Sequence, residues 1–180
     1  MARLPGFIGP SYESRSRIAA GERCINFFTE LVESEFAKSQ WALYPCPGLP
    51  VFATLSSSPG LGLFGERSRL FAVSGEAGGA GTGVLDEISS AAVVTNRGTV
   101  LVNTNGATFA SNGDGGDELF VTTGGRGYIL DLVTNTLTQV LTDAVMGGHV
   151  DGFFLALDST STLRISESLD GLTWSASQIA

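Results

Sequence analysis

The stretch of residues 119–141, LFVTTGGRGYILDLVTNTLTQVL, constrains the fold more than any other part of the sequence. In it, short runs of β-branched, aliphatic and aromatic residues alternate with turns that contain glycine or asparagine. This alternation predicts an antiparallel meander, with strands at residues 119–123, 128–132 and 137–141.

The second turn and the third strand of this stretch carry more specific expectations. Asn135 lies in the turn, and we expect a left-handed backbone there because asparagine tolerates that conformation better than most residues. Side chains alternate between the two faces of a strand. We therefore expect Leu137, Gln139 and Leu141 on one face of the third strand.

Similar units lie before and after this stretch. RLFAVSG at residues 69–75 and ELFVTTG at residues 118–124 are 49 residues apart, and DGFFLALD follows at residues 151–158. Four-stranded sheets that repeat every 40 to 50 residues are typical of β-propeller blades. With 24 glycines and only 16% charged residues, the composition also indicates strands and tight turns. The sequence therefore predicts an all-β fold of β-propeller-like antiparallel meanders, an incomplete propeller of two to three blades.

Two regions are predicted along the chain: an extended N-terminal arm at residues 1–23 and a partial β-propeller-like domain at residues 24–180. The arm has two prolines and three glycines, and no hydrophobic period is sustained in it. Residues 31–38 are compatible with either a short helical turn or a polar loop.

The other local expectations follow from the same strand and turn signals. Strands are expected at residues 24–28, 41–44, 49–55, 61–64, 70–73, 84–88, 150–158, 163–166 and 172–174. Loops or turns are expected at residues 66–68, 75–83, 108–117, 159–161 and 170–171, and residues 91–103 are expected to form a hairpin that turns at residues 96–98.

The net charge of −8 is unevenly distributed. Residues 71–180 hold three arginines against twelve acidic residues, whereas residues 1–70 hold seven basic residues against six acidic ones. An acidic surface repels a phosphate backbone, so this balance argues against a nucleic-acid reader. No run of 18 apolar residues is present, so we expect no membrane association.

The titratable residues offer little chemistry. Cys24 and Cys46 lie outside any CxxC pattern, which argues against zinc and favours free thiols in a reducing compartment over a disulfide. His149 is the only histidine, and no G-x-S-x-G nucleophile turn accompanies it, so we expect a loop residue without a catalytic role. The acidic segment 112–118 lacks EF-hand spacing, and the glycine-rich segment 78–83 has no helix behind it to bind phosphate. The sequence predicts no catalytic residue, no cofactor and no metal site.

Several motifs carry a resemblance to a known family. They are CINFFTE, WALYPCPGLPVFATL, GLGLFGERSRLFAVSGE, LFVTTGGRGYILDLVTNTLTQV and VDGFFLALDSTSTLRISESLDGLTW, in that order. Over residues 20–178 the chain resembles the packaged DNA stabilization proteins of short-tailed bacteriophages, which are tail accessory factors also called hub, stopper or nozzle proteins. Members of that family are considerably longer than this chain. The segment 168–174, SLDGLTW, is also close to the Asp box of sialidase-like propellers, which is a structural hairpin and not a catalytic motif.

The resemblance implies a virion protein without enzymatic activity, assembled in the host cytoplasm. Six copies would form a ring between the portal-adaptor and the other tail proteins, and packaged DNA would pass through without specific binding. Arginine and tyrosine are frequent at interfaces, so Arg3, Tyr12, Arg15 and Arg17 of the arm are the expected partner-binding residues. The alternative is a carbohydrate-binding or sialidase-like β-propeller module, which would need a pocket with stacked aromatic side chains and convergent polar groups.

Overall fold

The computed structural model describes residues 27–31, 41–45, 48, 50–76 and 81–179, and every regular element in them is a β-strand. The predicted all-β class is confirmed for these residues. The chain divides into two compact units, Met1–Pro50 and Val51–Ala180. The predicted arm, residues 32–38, Cys24 and Cys46 all lie outside the described residues. The predicted domain boundary after residue 23 therefore stays a prediction.

The described residues of the first unit include a two-stranded antiparallel sheet. Its strands are β1 (Phe27–Leu31) and β2 (Trp41–Pro45), with Phe28 opposite Tyr44. β2 matches the strand predicted at residues 41–44, and β1 overlaps the one predicted at residues 24–28.

The second unit begins with a segment that is not a strand, although the sequence predicted one at residues 49–55. Residues 50–55 have no regular structure, so this prediction was wrong over the described part. Pro50 has no N–H to donate to a sheet ladder. Next in the chain, Ser56 donates hydrogen bonds from both its backbone N–H and its hydroxyl to Asp86, each at 2.7 Å. Side-chain bonds, and not strand pairing, therefore hold this segment.

The first sheet is a four-stranded antiparallel meander with strands in sequence order. Arg67 and Ser68, at the predicted turn, both have positive φ angles (47° and 65°), as the tight turns that suit a twisted hairpin require. The strands are β3 (Gly60–Glu66), β4 (Arg69–Gly75), β5 (Gly81–Ile88) and β6 (Val94–Val102).

The hairpin predicted with its turn at residues 96–98 was wrong, because β6 runs through these positions as one strand. Leu85 lies opposite Gly98 and Asp86 lies opposite Asn96, so Arg97 is the extra residue of a β-bulge. Turn-forming residues such as Asn96 and Gly98 also suit bulges, and the local sequence does not separate the two. Residues 81–83 also belong to β5, and not to the predicted glycine-rich loop.

The second sheet contains the predicted meander, which is confirmed, preceded by one further strand. Asn135 has the expected left-handed backbone, with φ of 60°. The polar loop predicted at residues 108–117 was wrong at its start, because residues 108–111 pair with the strand that follows. The strands are β7 (Ala107–Ser111), β8 (Glu118–Thr123), β9 (Arg126–Asp131) and β10 (Leu137–Leu141).

The predicted common face of Leu137, Gln139 and Leu141 was wrong. The register of β10 against β9 shifts between Gln139 and Leu141, which reverses the alternation of side chains. Leu137 consequently packs toward the first sheet, whereas Leu141 packs toward the third.

The third sheet is a further four-stranded meander. The strand predicted at residues 150–158 was wrong at its start, because Asp151 and Gly152 form a turn with φ angles of 47° and 84°. The turn predicted at residues 170–171 lies at residues 168–169 instead, where Leu169 has φ of 57°. The strands are β11 (Met146–Val150), β12 (Phe153–Leu157), β13 (Leu163–Glu167) and β14 (Asp170–Ile179).

The repeat predicted from sequence corresponds to one position in each sheet. The segments at residues 69–75, 118–124 and 151–158 contain β4, β8 and β12, the second strands of the three sheets. The described residues therefore contain three four-stranded sheets, each of which follows the chain strand by strand.

The second sheet is the middle layer of the unit. All six residues of β8 are buried, which requires cover on both faces. One buried cluster joins this sheet to the first sheet and includes Phe71, Leu85, Val100, Leu119, Val121, Tyr128 and Leu130. A second cluster joins it to the third sheet and includes Ala110, Phe120, Ile129, Leu141, Phe154 and Ala156.

We predict that Gly98→Ala destabilises the unit by about 1–3 kcal/mol. Gly98 has φ of +155°, and an added Cβ would lie 2.6 Å from Leu137 Cδ2. Gly65→Ala is the matched control, since Gly65 is also in a strand and an added Cβ there has no atom within 4 Å. Urea unfolding of both variants measures the difference, and equal losses of stability would contradict this role of Gly98.

Candidate functional site

One face of the third sheet carries apolar side chains on three neighbouring strands. In β12, Phe154 and Ala156 point into the cluster shared with the second sheet. Phe153, Leu155 and Leu157 alternate with them and therefore lie on the opposite face. Strand pairing places five more residues on that opposite face: Val150 beside Phe153, Gly148 and Ile165 on either side of Leu155, and Met146 and Leu163 on either side of Leu157. We call this set the open face.

The open face is accessible to solvent. Met146 is 56% exposed and Val150 is 51% exposed, while Phe153, Leu155, Leu157 and Leu163 are half-buried. An added Cβ at Gly148 would have no atom within 4 Å. On the other face, an added Cβ at the neighbouring Gly147 would lie 2.6 Å from Phe120. One face of β11 is therefore covered by the second sheet, and the other has no such cover among the described residues.

The open face has the composition of an interface. None of its eight positions is charged, and Glu167, which alternates with the buried Ser166, lies on the same side at the end of β13. The buried core of a protein interface is likewise depleted of charged residues. The equivalent positions in the middle sheet are buried by a neighbouring sheet. The arrangement therefore suits packing of another apolar layer, and we treat the open face as the candidate functional site.

Buried polar contacts fix the third sheet on the second. Glu118, at the start of β8, accepts hydrogen bonds at one carboxylate oxygen from Gly171 N–H in β14 (2.7 Å) and from the Asn112 amide (2.9 Å). Asn112 in turn accepts the Glu118 N–H at 2.9 Å. Burial raises the pKa of Glu118, and the nearby charge of Asp170 adds to that increase. Because this carboxylate of the second sheet binds a backbone N–H of the third sheet, it fixes the position of β14 and of the sheet that carries the open face.

A second polar cluster joins the first and second sheets. Arg69 donates to both carboxylate oxygens of Glu87, at 2.8 and 2.6 Å, and to the Leu132 carbonyl at 2.8 Å. Arg97, the extra residue of the β6 bulge, donates to Glu87 at 2.7 Å. The bonds from Arg69, with those from Arg97, lower the pKa of Glu87 against the opposing effect of burial.

A cavity of about 480 Å³ opens beside this cluster, between β6 and β10. Among the described residues that line it, Tyr128 is the one aromatic residue, and its hydroxyl already accepts the Leu101 N–H at 2.9 Å. The described lining therefore lacks the stacked aromatic side chains of a glycan site. Its lining is Thr82, Arg97, Gly98, Thr99, Val100, Leu101, Tyr128, Leu137 and Gln139.

His149 lies in β11 and not in a loop, so that prediction was wrong. Its Nε2 accepts the Gly152 N–H at 3.0 Å, and its ring lies 5.8 Å from the ring of Phe154. Asp143 accepts hydrogen bonds from the backbone and the hydroxyl of Ser159. Each group is thus engaged in a local structural contact, and these contacts do not form a Ser-His-Asp arrangement.

The acidic segment 112–118 is held in place by a neighbouring arginine side chain. Arg67 forms ion pairs with Asp114 (3.1 Å) and Asp117 and donates to the Gly113 carbonyl. Within the described residues, no three His, Cys, Asp or Glu side chains are grouped to hold a metal ion.

The segment that resembles an Asp box forms the connection between β13 and β14. Asp170 accepts the Leu172 N–H at 2.9 Å, and the Trp174 indole N–H donates to the Gly171 carbonyl at 2.7 Å. Trp174 also packs with its ring centroid 5.3 Å from that of Phe120. These bonds brace a hairpin and anchor it on the second sheet.

The interface residues predicted from sequence, Arg3, Tyr12, Arg15 and Arg17, lie outside the described residues and stay a prediction. Sequence reasoning missed the open face. The available signal was the apolar alternation of Phe153, Leu155 and Leu157, and the expected loop at His149 concealed the neighbouring strand β11.

Neither a known protein-family profile nor a curated protein sequence matches the chain. No helix in the described part of the chain is long and apolar enough to cross a membrane.

We predict that Glu118→Gln becomes increasingly more stable than the wild type as the pH rises from acid to neutral. The raised pKa means that protonated Glu118 stabilises the folded state, and this contribution is lost as pH rises through the folded-state pKa. The glutamine oxygen can still accept the bonds from Gly171 and Asn112. Urea unfolding at several pH values above about 4.5, the ordinary pKa of glutamate, measures the difference. A difference that does not change with pH would contradict the raised pKa.

Proposed function

We propose that this chain is a structural protein of a bacteriophage tail that joins the portal-adaptor to the tail and retains packaged DNA. The open face of the third sheet is the observation that carries the structural part of this proposal, because an uncharged apolar face suits permanent assembly. The choice of a phage tail rests on the ordered motifs between residues 20 and 178 and their resemblance to packaged DNA stabilization proteins.

We also propose that the three sheets are consecutive blades of an incomplete β-propeller. The first strands of neighbouring sheets lie close together: the Gly147 N–H of β11 donates to the Thr108 hydroxyl of β7 at 2.9 Å. An added Cβ at Gly62 of β3 would lie 2.8 Å from Phe109 of β7. The fourth strands of the first two sheets also meet, since an added Cβ at Gly98 of β6 would lie 2.6 Å from Leu137 of β10. Contacts between equivalent strands of neighbouring sheets suit consecutive blades.

Closure of a propeller takes at least four blades in the usual range. The described residues supply three four-stranded sheets, so a ring of blades requires a further layer on the open face. That requirement supports the homo-oligomeric state implied by the family resemblance, for which six copies are proposed. The location is the virion tail, after assembly in the host cytoplasm.

The proposed role is not enzymatic. His149 and Asp143 are held in separate local contacts, and Arg67 engages the acidic segment 112–118. The net charge of −8 suits a wall past which DNA moves without being bound. The alternative of a glycan-binding module is less favoured, because the cavity offers one aromatic residue whose hydroxyl is already bonded.

Immunoelectron microscopy of particles tests the proposed function. We expect an antibody raised against this chain to label one vertex of purified particles, at the junction of head and tail. An antibody against the major capsid protein, which should label the whole shell, is the control. Label that is missing from intact and from disrupted particles would reject the role in the virion.

Removal of the N-terminal arm tests the predicted partner contacts. We expect a chain that lacks residues 1–17 to keep the unfolding transition of the second unit, because that unit, Val51–Ala180, is compact and does not include the arm. The truncated chain should no longer join the tail assembly, because Arg3, Tyr12, Arg15 and Arg17 are lost. Co-sedimentation with tail complexes measures this, and binding equal to that of the full chain would show that the arm is dispensable.

A further inference from the structure

The outer side of the first sheet, at the other end of the three-layer unit, also exposes apolar side chains. Leu63 lies opposite Ala72 and so on the face away from Phe71, Val73 and the second sheet. Leu63 is 64% exposed. Val51 and Phe52 are exposed as well, in the segment that Ser56 ties to Asp86 on this same face. We call Val51, Phe52 and Leu63 the outer patch.

We infer that the open face of one copy packs against the outer patch of a second copy, so that copies join head to tail. This inference rests on the proposed function as an oligomeric tail protein and names the surfaces that join its copies. The two surfaces lie on opposite sides of the unit, because the second sheet separates the layers that carry them. Contacts between unlike surfaces generate rings when the rotation between copies closes.

The alternative is a symmetric dimer in which two open faces pack on each other. Such a dimer would cover Met146 and Val150 but would leave Leu63 and Phe52 in water. A head-to-tail contact covers both surfaces at once. Burial of apolar area is the main favourable contribution to association, so the arrangement that covers more of it is preferred.

The size of the open face also favours a closed ring over an isolated pair. Three strands about 4.8 Å apart, with five residues of about 3.4 Å each, give a flat face of roughly 250 Å². A stable interface usually buries about 800 Å² on each partner. A single contact of this kind is therefore weak, whereas in a closed ring every copy is held by two contacts.

The electrostatic properties of the two surfaces are compatible with this contact. None of the eight positions of the open face and none of the three of the outer patch is charged. The chain has a net charge of −8, so copies repel one another at long range, and neutral surfaces give the least repulsion at close contact. A lysine introduced on either surface would become a buried, unpaired charge in the contact, which is costly.

Sedimentation velocity of the full chain over a range of concentrations tests the inference. The open-face variant is Met146→Lys with Val150→Lys, and the outer-patch variant is Leu63→Lys. All three positions are exposed, so the folded unit tolerates the change, which thermal unfolding checks. Val133→Lys is the matched control, because Val133 is 70% exposed in the turn between β9 and β10 and belongs to neither surface.

We expect the wild type and Val133→Lys to associate beyond the dimer as concentration rises, and each surface variant to remain monomeric. An equimolar mixture of the two surface variants should not associate beyond a dimer, because it retains only one intact open face and one intact outer patch for each pair of copies. The inference is overturned if the wild type is monomeric throughout, if Leu63→Lys associates like the wild type, or if the mixture forms assemblies larger than a dimer. If the wild type is monomeric, the head-to-tail contact is rejected, and immunoelectron microscopy still tests the tail role. If copies associate head to tail but the particles carry no label, only the tail role is rejected.

Discussion

The burial of both faces of the second sheet is the constraint on which the rest of the second unit depends. All six consecutive residues of β8 are buried, so neither face of this strand is exposed to water. It therefore needs an apolar layer on each side, and the first and third sheets supply these layers through Phe71 and Phe154. Each outer sheet then has one face that is not used by the middle layer, and the function proposed here depends on those two faces.

Polar side chains determine how the layers are aligned. Apolar contacts are non-directional, so they favour stacking without fixing its register. Glu118 fixes the third sheet on the second through Gly171, and Arg69 fixes the first sheet on the second through the Leu132 carbonyl. These bonds have defined distances and angles. The open face and the outer patch therefore have a fixed relative position, which a ring of identical copies requires.

Glu118 and Glu87 have opposite pKa shifts for reasons that follow from their partners. Glu118 is buried beside an amide and a backbone N–H, and neither compensates the cost of its charge, so burial raises its pKa. Glu87 is held by two guanidinium groups, and their bonds lower its pKa despite burial. Two carboxylates at similar sheet junctions thus respond to pH in opposite ways.

The sequence by itself determined the all-β class, the repeated meander and the turn at Asn135, because these depend on local preferences and short-range alternation. It did not determine that residues 96–98 form a bulge, that Leu137 and Leu141 face different layers, or that His149 lies in a strand. Those features depend on which strand lies alongside and on the layer each face meets, and both are set by contacts distant in sequence. For the same reason, only the tertiary structure showed that Phe154 lies on a buried face of its sheet and Phe153 on the uncovered face.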